Sequence, residues 1–318
     1  MAIDEATAAL LTAMAESGAK PLHELTPREG RAVMAEMSAA GGPGPEVARV
    51  YDEQIPTADG GQFAVRVLVP EGDIRALVVY IHGGGWVIGN LETHDHVVRV
   101  LANRLHAAIV NVDYRLAPEH PFPAAADDSW AALLWAHERM TEIAGGPVPL
   151  VVMGDSAGGN LSAVVARRAR DAGGPRLASQ VLVYPVTDAD LDTPCYLDPA
   201  NQLLLTRDSM VWFWDHYAPD PADRKHPDAS PLQAADLSGL PPAIVLTAEH
   251  DPLRDEGEAY AEQLALAGVP VARQRFAGQM HAFFTMVDVL PGSAAGIAYV
   301  VDQLGQQLAA EEEAQPAG

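Results

Sequence analysis

The 318-residue chain reads as an α/β protein with a mostly parallel central sheet flanked by helices. Three observations predict this. Short apolar runs recur at residues 64–68, 77–81, 108–112, 150–153, 181–184, 243–247 and 271–276. Helical stretches at 124–139, 160–170 and 256–267 fall between them, as the crossovers joining parallel strands require. Most of these runs are apolar at successive positions, the pattern of strands covered on both faces.

The elements follow in order. Residues 47–54 and 64–69 form an antiparallel pair joined through the Asp59-Gly60-Gly61 turn. The next run ends at His82-Gly83-Gly84-Gly85-Trp86, where an open α/β sheet places its ligands. Glycines lack Cβ atoms, so the backbone of 83–85 is free to approach a substrate and aim its N–H groups at an oxyanion. The run 150–153 ends in Gly154-Asp155-Ser156-Ala157-Gly158-Gly159, a G-x-S-x-G turn with a strand before it and a helix after it. That sharp turn lifts the Ser156 hydroxyl into the open. The helix start beneath it favours negative charge, and the Ala157 N–H is a further oxyanion donor.

A serine hydroxyl is a poor nucleophile until a base takes its proton, and the base needs an acid to hold its tautomer. With a G-x-S-x-G elbow the chain order is Ser, acid, His. The run 243–247 leads to Glu249-His250-Asp251-Pro252, which offers Asp251 as the acid; the run 269–276 leads to Gln279-Met280-His281, which offers His281 as the base. Glu249 and Asp255 are competing acids, although Asp255 fits better as a first-turn residue of the helix that follows. His250 adjoins Asp251 and points elsewhere, a rim or structural residue. His82 fits hydrogen bonding within its own loop. His94, His96, His106, His120, His216 and His226 show no metal-ligand spacing, and Asp188, Asp190 and Asp192 lack the twelve-residue calcium-loop pattern. The chemistry calls for no metal and no cofactor.

These motifs resemble those of the bacterial hormone-sensitive-lipase-like esterases of the α/β-hydrolase fold, in the branch carrying Gly-Asp-Ser-Ala-Gly. The resemblance runs from about residue 65 to 284 and includes the Asp113-Tyr114-Arg115-Leu116-Ala117-Pro118-Glu119-His120-Pro121-Phe122-Pro123-Ala124-Ala125 segment and Asp251-Pro252-Leu253-Arg254-Asp255-Glu256. It implies Ser156, Asp251 and His281 as the triad, Gly83, Gly84 and Ala157 as oxyanion donors, and a structural role for the proline-rich segment after Asp113. One departure stands out: the family commonly has glycine after the catalytic histidine, and this chain has Ala282, whose methyl reshapes the loop or the pocket near Phe283.

Two segments interrupt the strand–helix alternation, giving the division 1–45 (cap segment and linker), 46–186 (first part of the core), 187–231 (cap insertion) and 232–318 (second part of the core). By the same resemblance the two interruptions form a helical cap over the strand ends. The insertion carries Trp212, Phe213 and Trp214, which join Trp86 and Phe283 as candidate substrate-binding residues.

With 43 acidic residues against 20 basic ones, a formal charge of −23, the chain repels nucleic acid and disfavours anionic membranes. There is no basic stretch leading into an apolar one at the start and no run of about twenty apolar residues, so the expectation is a cytoplasmic enzyme without stable membrane association. Cys195 is the only cysteine, which leaves no intramolecular disulfide. The resulting expectation is a serine carboxylesterase acting on short- to medium-chain esters. Amidase or acyltransferase activity is the alternative with the same triad, and a non-catalytic small-molecule-binding protein is the alternative without catalysis. The resemblance also raises a homodimer through the last sheet edge or its adjoining helix, which the sequence does not itself establish.

Overall fold

The computed structural model describes residues 2–314. Two helices come first, α1 (Glu5–Glu16) and α2 (Pro27–Ala40). The strands β1 (Arg49–Pro56), β2 (Gln62–Val69) and β3 (Ala76–Ile81) lead to α3 (Leu91–Leu105), β4 (Ala107–Asp113), α4 (Ala124–Glu138) and α5 (Met140–Ala144). The chain continues through β5 (Leu150–Asp155), α6 (Ala157–Asp171), β6 (Ser179–Val183), α7 (Pro194–Leu197) and α8 (Arg207–Tyr217). It closes with β7 (Ala243–His250), α9 (Arg254–Leu266), β8 (Val271–Met280) and α10 (Pro291–Ala314).

One eight-stranded sheet runs β1-β2-β4-β3-β5-β6-β7-β8. β1 and β2 pair antiparallel about the turn at Gly60, and β2 pairs antiparallel with β4; every later pairing is parallel. The side-chain period of two splits each central strand between two cores. Leu77, Val79 and Ile81 of β3 pack with residues of α4 and α6, whereas Val78 and Tyr80 pack with α3 and α10. A third cluster seats Tyr260 and Leu264 of α9 on Leu182 and Val245. Both faces being covered, β3 and β5 have no exposed residue, which is why their sequences run apolar without alternation.

Three helices lie outside the segments read from the sequence: α3, the short α5 and α10. In α3 the buried apolar positions 91, 97, 98, 101 and 102 are interrupted by Glu92, Thr93, His94, Asp95, His96 and Arg99, and its clearest mark is the reciprocal cap between Asn90 and Thr93. α10 covers the same face from the chain's far end. The helical spacing of the first 37 residues resolves into two helices, parted at Pro21 and restarted by the Thr26–Glu29 capping box.

α2 and α8 come together over the strand ends as the helical cap. The Cα of Gly30 leaves room for Leu22, Ile88 and the rim of Trp212. Arg31 pins α2 to the body beneath, its Nε donating to the Val87 carbonyl at 2.9 Å and an Nη to that of Ala117 at 2.9 Å, while Glu119 holds the rest of the guanidinium.

Candidate active site

The turn between β5 and α6 sets Ser156 at φ 56°, ψ −118°, a conformation that costs a non-glycine residue about 1–3 kcal/mol. Neighbours over-determine it. The Ser156 N–H donates to the Val183 carbonyl at 2.8 Å, and its own carbonyl accepts from Asn160 at 3.0 Å. A Cβ at Gly158 would fall on the Ile81 carbonyl of β3, and one at Gly154 on the carbonyl of Gly158, with that of Ile81 close beside it. The helix therefore starts against the sheet with the hydroxyl held at its edge.

β7 and β8 deliver the other two side chains. The His281 Nε2 lies 3.0 Å from the Ser156 Oγ, and its Nδ1 lies 2.7 Å from the Asp251 Oδ2. A carboxylate only accepts, so Nδ1 carries the proton and Nε2 faces the hydroxyl as an acceptor. Asp251 is fully buried; its Oδ1 accepts the Leu253 N–H at 2.9 Å, and its backbone carbonyl accepts the Cys195 thiol at 3.2 Å. The Tyr184 ring packs on the His281 imidazole with centroids 4.6 Å apart. Burial pushes the Cys195 thiol up to about 11, so the sulfur stays protonated and inert.

The competing residues are occupied elsewhere. Glu249 accepts the Gly278 N–H, and Asp255 pairs with Arg254. His250 directs its Nε2 toward Glu249, 4.0 Å away. Asp188 accepts from Gln233, Asp190 from the Asp192 amide, and Asp192 pairs with Arg207. Among the described residues no group of three or more His, Cys, Asp or Glu is placed to hold a metal ion.

The glycine loop corrects one expectation. The Gly83 N–H is not free for an oxyanion, because it donates to the Asp155 Oδ1 at 3.1 Å. The amides of Gly84, Gly85 and Ala157 donate to no other group among the described residues. The unengaged amides of the loop are therefore those of Gly84 and Gly85, one residue beyond the pair read from the sequence. Gly84 has φ +109° and Gly85 φ +57°; a Cβ on Gly84 would meet the Ile88 carbonyl, and one on Gly85 the ring of Phe213. His82 donates from Nδ1 to the Gly83 carbonyl at 2.7 Å and stacks on Tyr114, whose hydroxyl donates to the His82 carbonyl at 3.0 Å. Burial drives the His82 imidazole down to about 3, leaving it neutral.

Of the candidate pocket residues, Phe213 lies on the Gly85 backbone and Trp212 is half-buried beside it. Trp86 and Trp214 have no exposed surface: the Trp86 indole stacks on Tyr217 at 4.1 Å and meets Trp214 at 4.8 Å. Phe283 is equally buried, wedged between Tyr184 and Phe276. None of these three rings has surface open to a ligand. Ser156 and His281 are themselves only 8% and 7% exposed, so the site is a closed recess beneath the cap.

A serine elbow, a buried Asp–His pair and unpaired amides at the carboxyl ends of a mostly parallel sheet define the class of serine-type ester hydrolases. The chain belongs to the alpha/beta hydrolase fold family, in its hormone-sensitive-lipase-like group; the family model matches residues 78–285. It is 49% identical over 225 residues to carboxylesterase NlhH of Mycobacterium tuberculosis, covering 70% of each chain. It is 38% identical over 296 residues to an ethyl acetate hydrolase of Pseudomonas putida, covering 91% of this chain and 92% of that one. Among solved structures, a thermostable esterase from Pseudomonas putida superposes with a TM-score of 0.86 at 38% identity, covering 96% of this chain and 97% of its own. An alpha/beta hydrolase from the metagenome of Lake Arreo, Spain, reaches 0.90 at 38% identity, covering 96% and 99%. The protein is a carboxylic ester hydrolase.

Proposed function

We propose that Ser156 is the nucleophile, His281 the general base and acid, and Asp251 the residue that orients and stabilises the imidazolium. The observation that carries this is the unbroken chain from the Ser156 Oγ through both ring nitrogens of His281 to Asp251, at 3.0 and 2.7 Å. His281 takes the hydroxyl proton as Oγ bonds to the ester carbonyl carbon. The resulting oxyanion accepts from the amides of Gly84, Gly85 and Ala157. The tetrahedral intermediate collapses, the alcohol leaves with the proton from His281, and an acyl-serine remains. Water, deprotonated by the same imidazole, then releases the acid.

The substrates are short- to medium-chain esters. In support, the cap closes over the hydroxyl, the Phe213 ring lies against the oxyanion loop, and one relative is named for ethyl acetate. Residues 1–45 and 187–231 act as the cap, and the remainder as the catalytic core. Among the described residues no helix is long and apolar enough to cross a membrane. Cytoplasmic location and a homodimer belong to the same reading. The test is hydrolysis of p-nitrophenyl esters from acetate to palmitate by the native enzyme and Ser156→Ala, with labelling by an active-serine phosphonate. Turnover and stoichiometric labelling lost together in Ser156→Ala, with an optimum at or below octanoate, is the expected result; an optimum at palmitate would reject the acyl range.

A further inference from the structure

Asp155 occupies the variable position before the nucleophile, and ester hydrolysis as described above gives it no task. It is 4% exposed, yet its carboxylate is engaged from three elements. Its Oδ1 accepts the Tyr80 hydroxyl from β3 at 2.7 Å and the Gly83 N–H from the glycine loop at 3.1 Å, and the His94 Nε2 of α3 stands 3.7 Å away. The other oxygen rests on the Cα of Gly83, where a Cβ would collide with it. His94 is braced in turn by the Thr93 hydroxyl at 3.0 Å and by the His82 ring at 5.2 Å. Burial pushes this carboxyl up, and the neighbouring His94 and the Tyr80 hydroxyl outweigh it, so that it lies below its ordinary value. A buried anion is thus maintained one residue from the nucleophile and in contact with the loop across from it.

We propose that Asp155 is a positioning residue that couples the serine elbow to the oxyanion loop: by binding the Gly83 N–H it orients that peptide, and so aims the following amides of Gly84 and Gly85 at the carbonyl attacked by Ser156. His94 and Tyr80 fix the carboxylate in turn. This geometry gives a reason for the shifted donor frame, since the carboxylate consumes one amide to set the next two. Oxyanion donors act through their exact placement, and loss of one costs about 10²–10³ in turnover. Loosening two without removing them should cost less, on the order of tenfold to a hundredfold.

The inference rests on the proposed oxyanion donors, and its test separates the two. Turnover of p-nitrophenyl butyrate is measured alongside inhibition by an alkyl trifluoromethyl ketone. The ketone carbon takes the Ser156 oxygen to form a hemiketal while the proton passes to His281, so the adduct carries the oxyanion itself. Native enzyme that neither turns over the ester nor binds the ketone would remove the underlying reading. Given both, Asp155→Asn should lower kcat about tenfold, leave KM within about threefold and raise the ketone inhibition constant by the same factor as kcat falls. Asp155→Ala, with no oxygen for Gly83, should lose about a hundredfold, and His94→Gln should move both quantities in the same direction. An inhibition constant within twofold of native in either folded Asp155 variant overturns the inference, even where kcat falls. Asp155→Asn, which preserves shape and one acceptor, decides the matter if Asp155→Ala does not fold.

Discussion

The carbonyl oxygen of Ile81 fills the space where Gly158 would carry a side chain. This places the first turn of α6 directly on the end of β3 and brings the serine elbow and the glycine loop, whose Asp155 and Gly83 are 72 residues apart in sequence, to adjoining positions. No rotamer relieves the conflict, because the obstructing atom is buried backbone in the middle of the sheet. Gly158→Ala should therefore lose at least about 3 kcal/mol of stability. Chemical unfolding checks this, and a variant within 1 kcal/mol of native would mean that the elbow tolerates a shift the geometry does not allow.

The Asp251–His281 contact makes a sharper claim about mechanism than the serine does. Asp251→Asn keeps the shape but presents an amide whose N–H₂ can face Nδ1, which selects the imidazole tautomer with its proton on the wrong nitrogen. Turnover should fall about ten-thousand-fold with little change in thermal stability. A loss below tenfold in steady-state kinetics would transfer the orienting role to another acid.

The strands and the meeting of positions 156, 251 and 281 are legible in the sequence because each of those residues follows an apolar run, and parallel strands end on one edge. The donor frame is not legible. Three consecutive glycines look alike in sequence, and what distinguishes Gly83 is a carboxylate arriving from a strand 72 residues away. The burial of the candidate pocket rings is hidden for a related reason: Trp86 and Trp214 sit in aromatic-rich motifs but face one another once α8 docks, and Phe283 faces Tyr184 and Phe276. The polar interruptions of α3 conceal its helical period, and one of them, His94, is buried for its contact with Asp155.

Ala282 departs from the family's glycine at a place where the backbone demands one. Its φ is +68°, the left-handed region that costs a residue with a Cβ about 1–2 kcal/mol. Glycine there removes the strain and adds freedom to the unfolded chain, so Ala282→Gly should gain about 0.5–1 kcal/mol, read as a rise of about 1–3 °C in Tm. A fall in Tm would show that the methyl contributes packing greater than the strain it carries.

The aromatic residues of α8 should divide by function. Phe213 lies on Gly85, beside the proposed oxyanion donors, so Phe213→Leu should open space there and raise kcat/KM for octanoate over acetate esters by about tenfold, the scale of one or two methylenes in an apolar pocket. Trp214 is buried against Trp86, and Trp214→Phe should cost about 1–3 kcal/mol without altering the acyl profile. The ratio of rates across acyl lengths distinguishes the two; an unchanged ratio in Phe213→Leu would place the acyl chain elsewhere.

Glu256 supplies a pH signature of the cap's attachment. Its Oε1 accepts the Thr187 N–H at 2.7 Å, and its backbone carbonyl accepts the Thr187 hydroxyl at 2.8 Å, where the chain leaves the sheet for the insertion. Burial drives the carboxyl well above its ordinary value, and Asp188 adds to the shift against the hydrogen bonds from Thr187 and Asp188, so the folded protein keeps the acid form. In the unfolded chain the group ionises from about pH 4.3 upward. Between that pH and the folded value the unfolded state binds fewer protons, so stability falls as pH rises; below it the contribution is fully present. Glu256→Gln keeps the Oε1 acceptor and has no proton to lose. Its Tm relative to native should be lowest near pH 4 and climb as the pH rises from there, because the native protein bears a growing cost that the variant escapes. A difference that is flat across this range, or greatest at the acid end, would show that Glu256 is already ionised in the folded state.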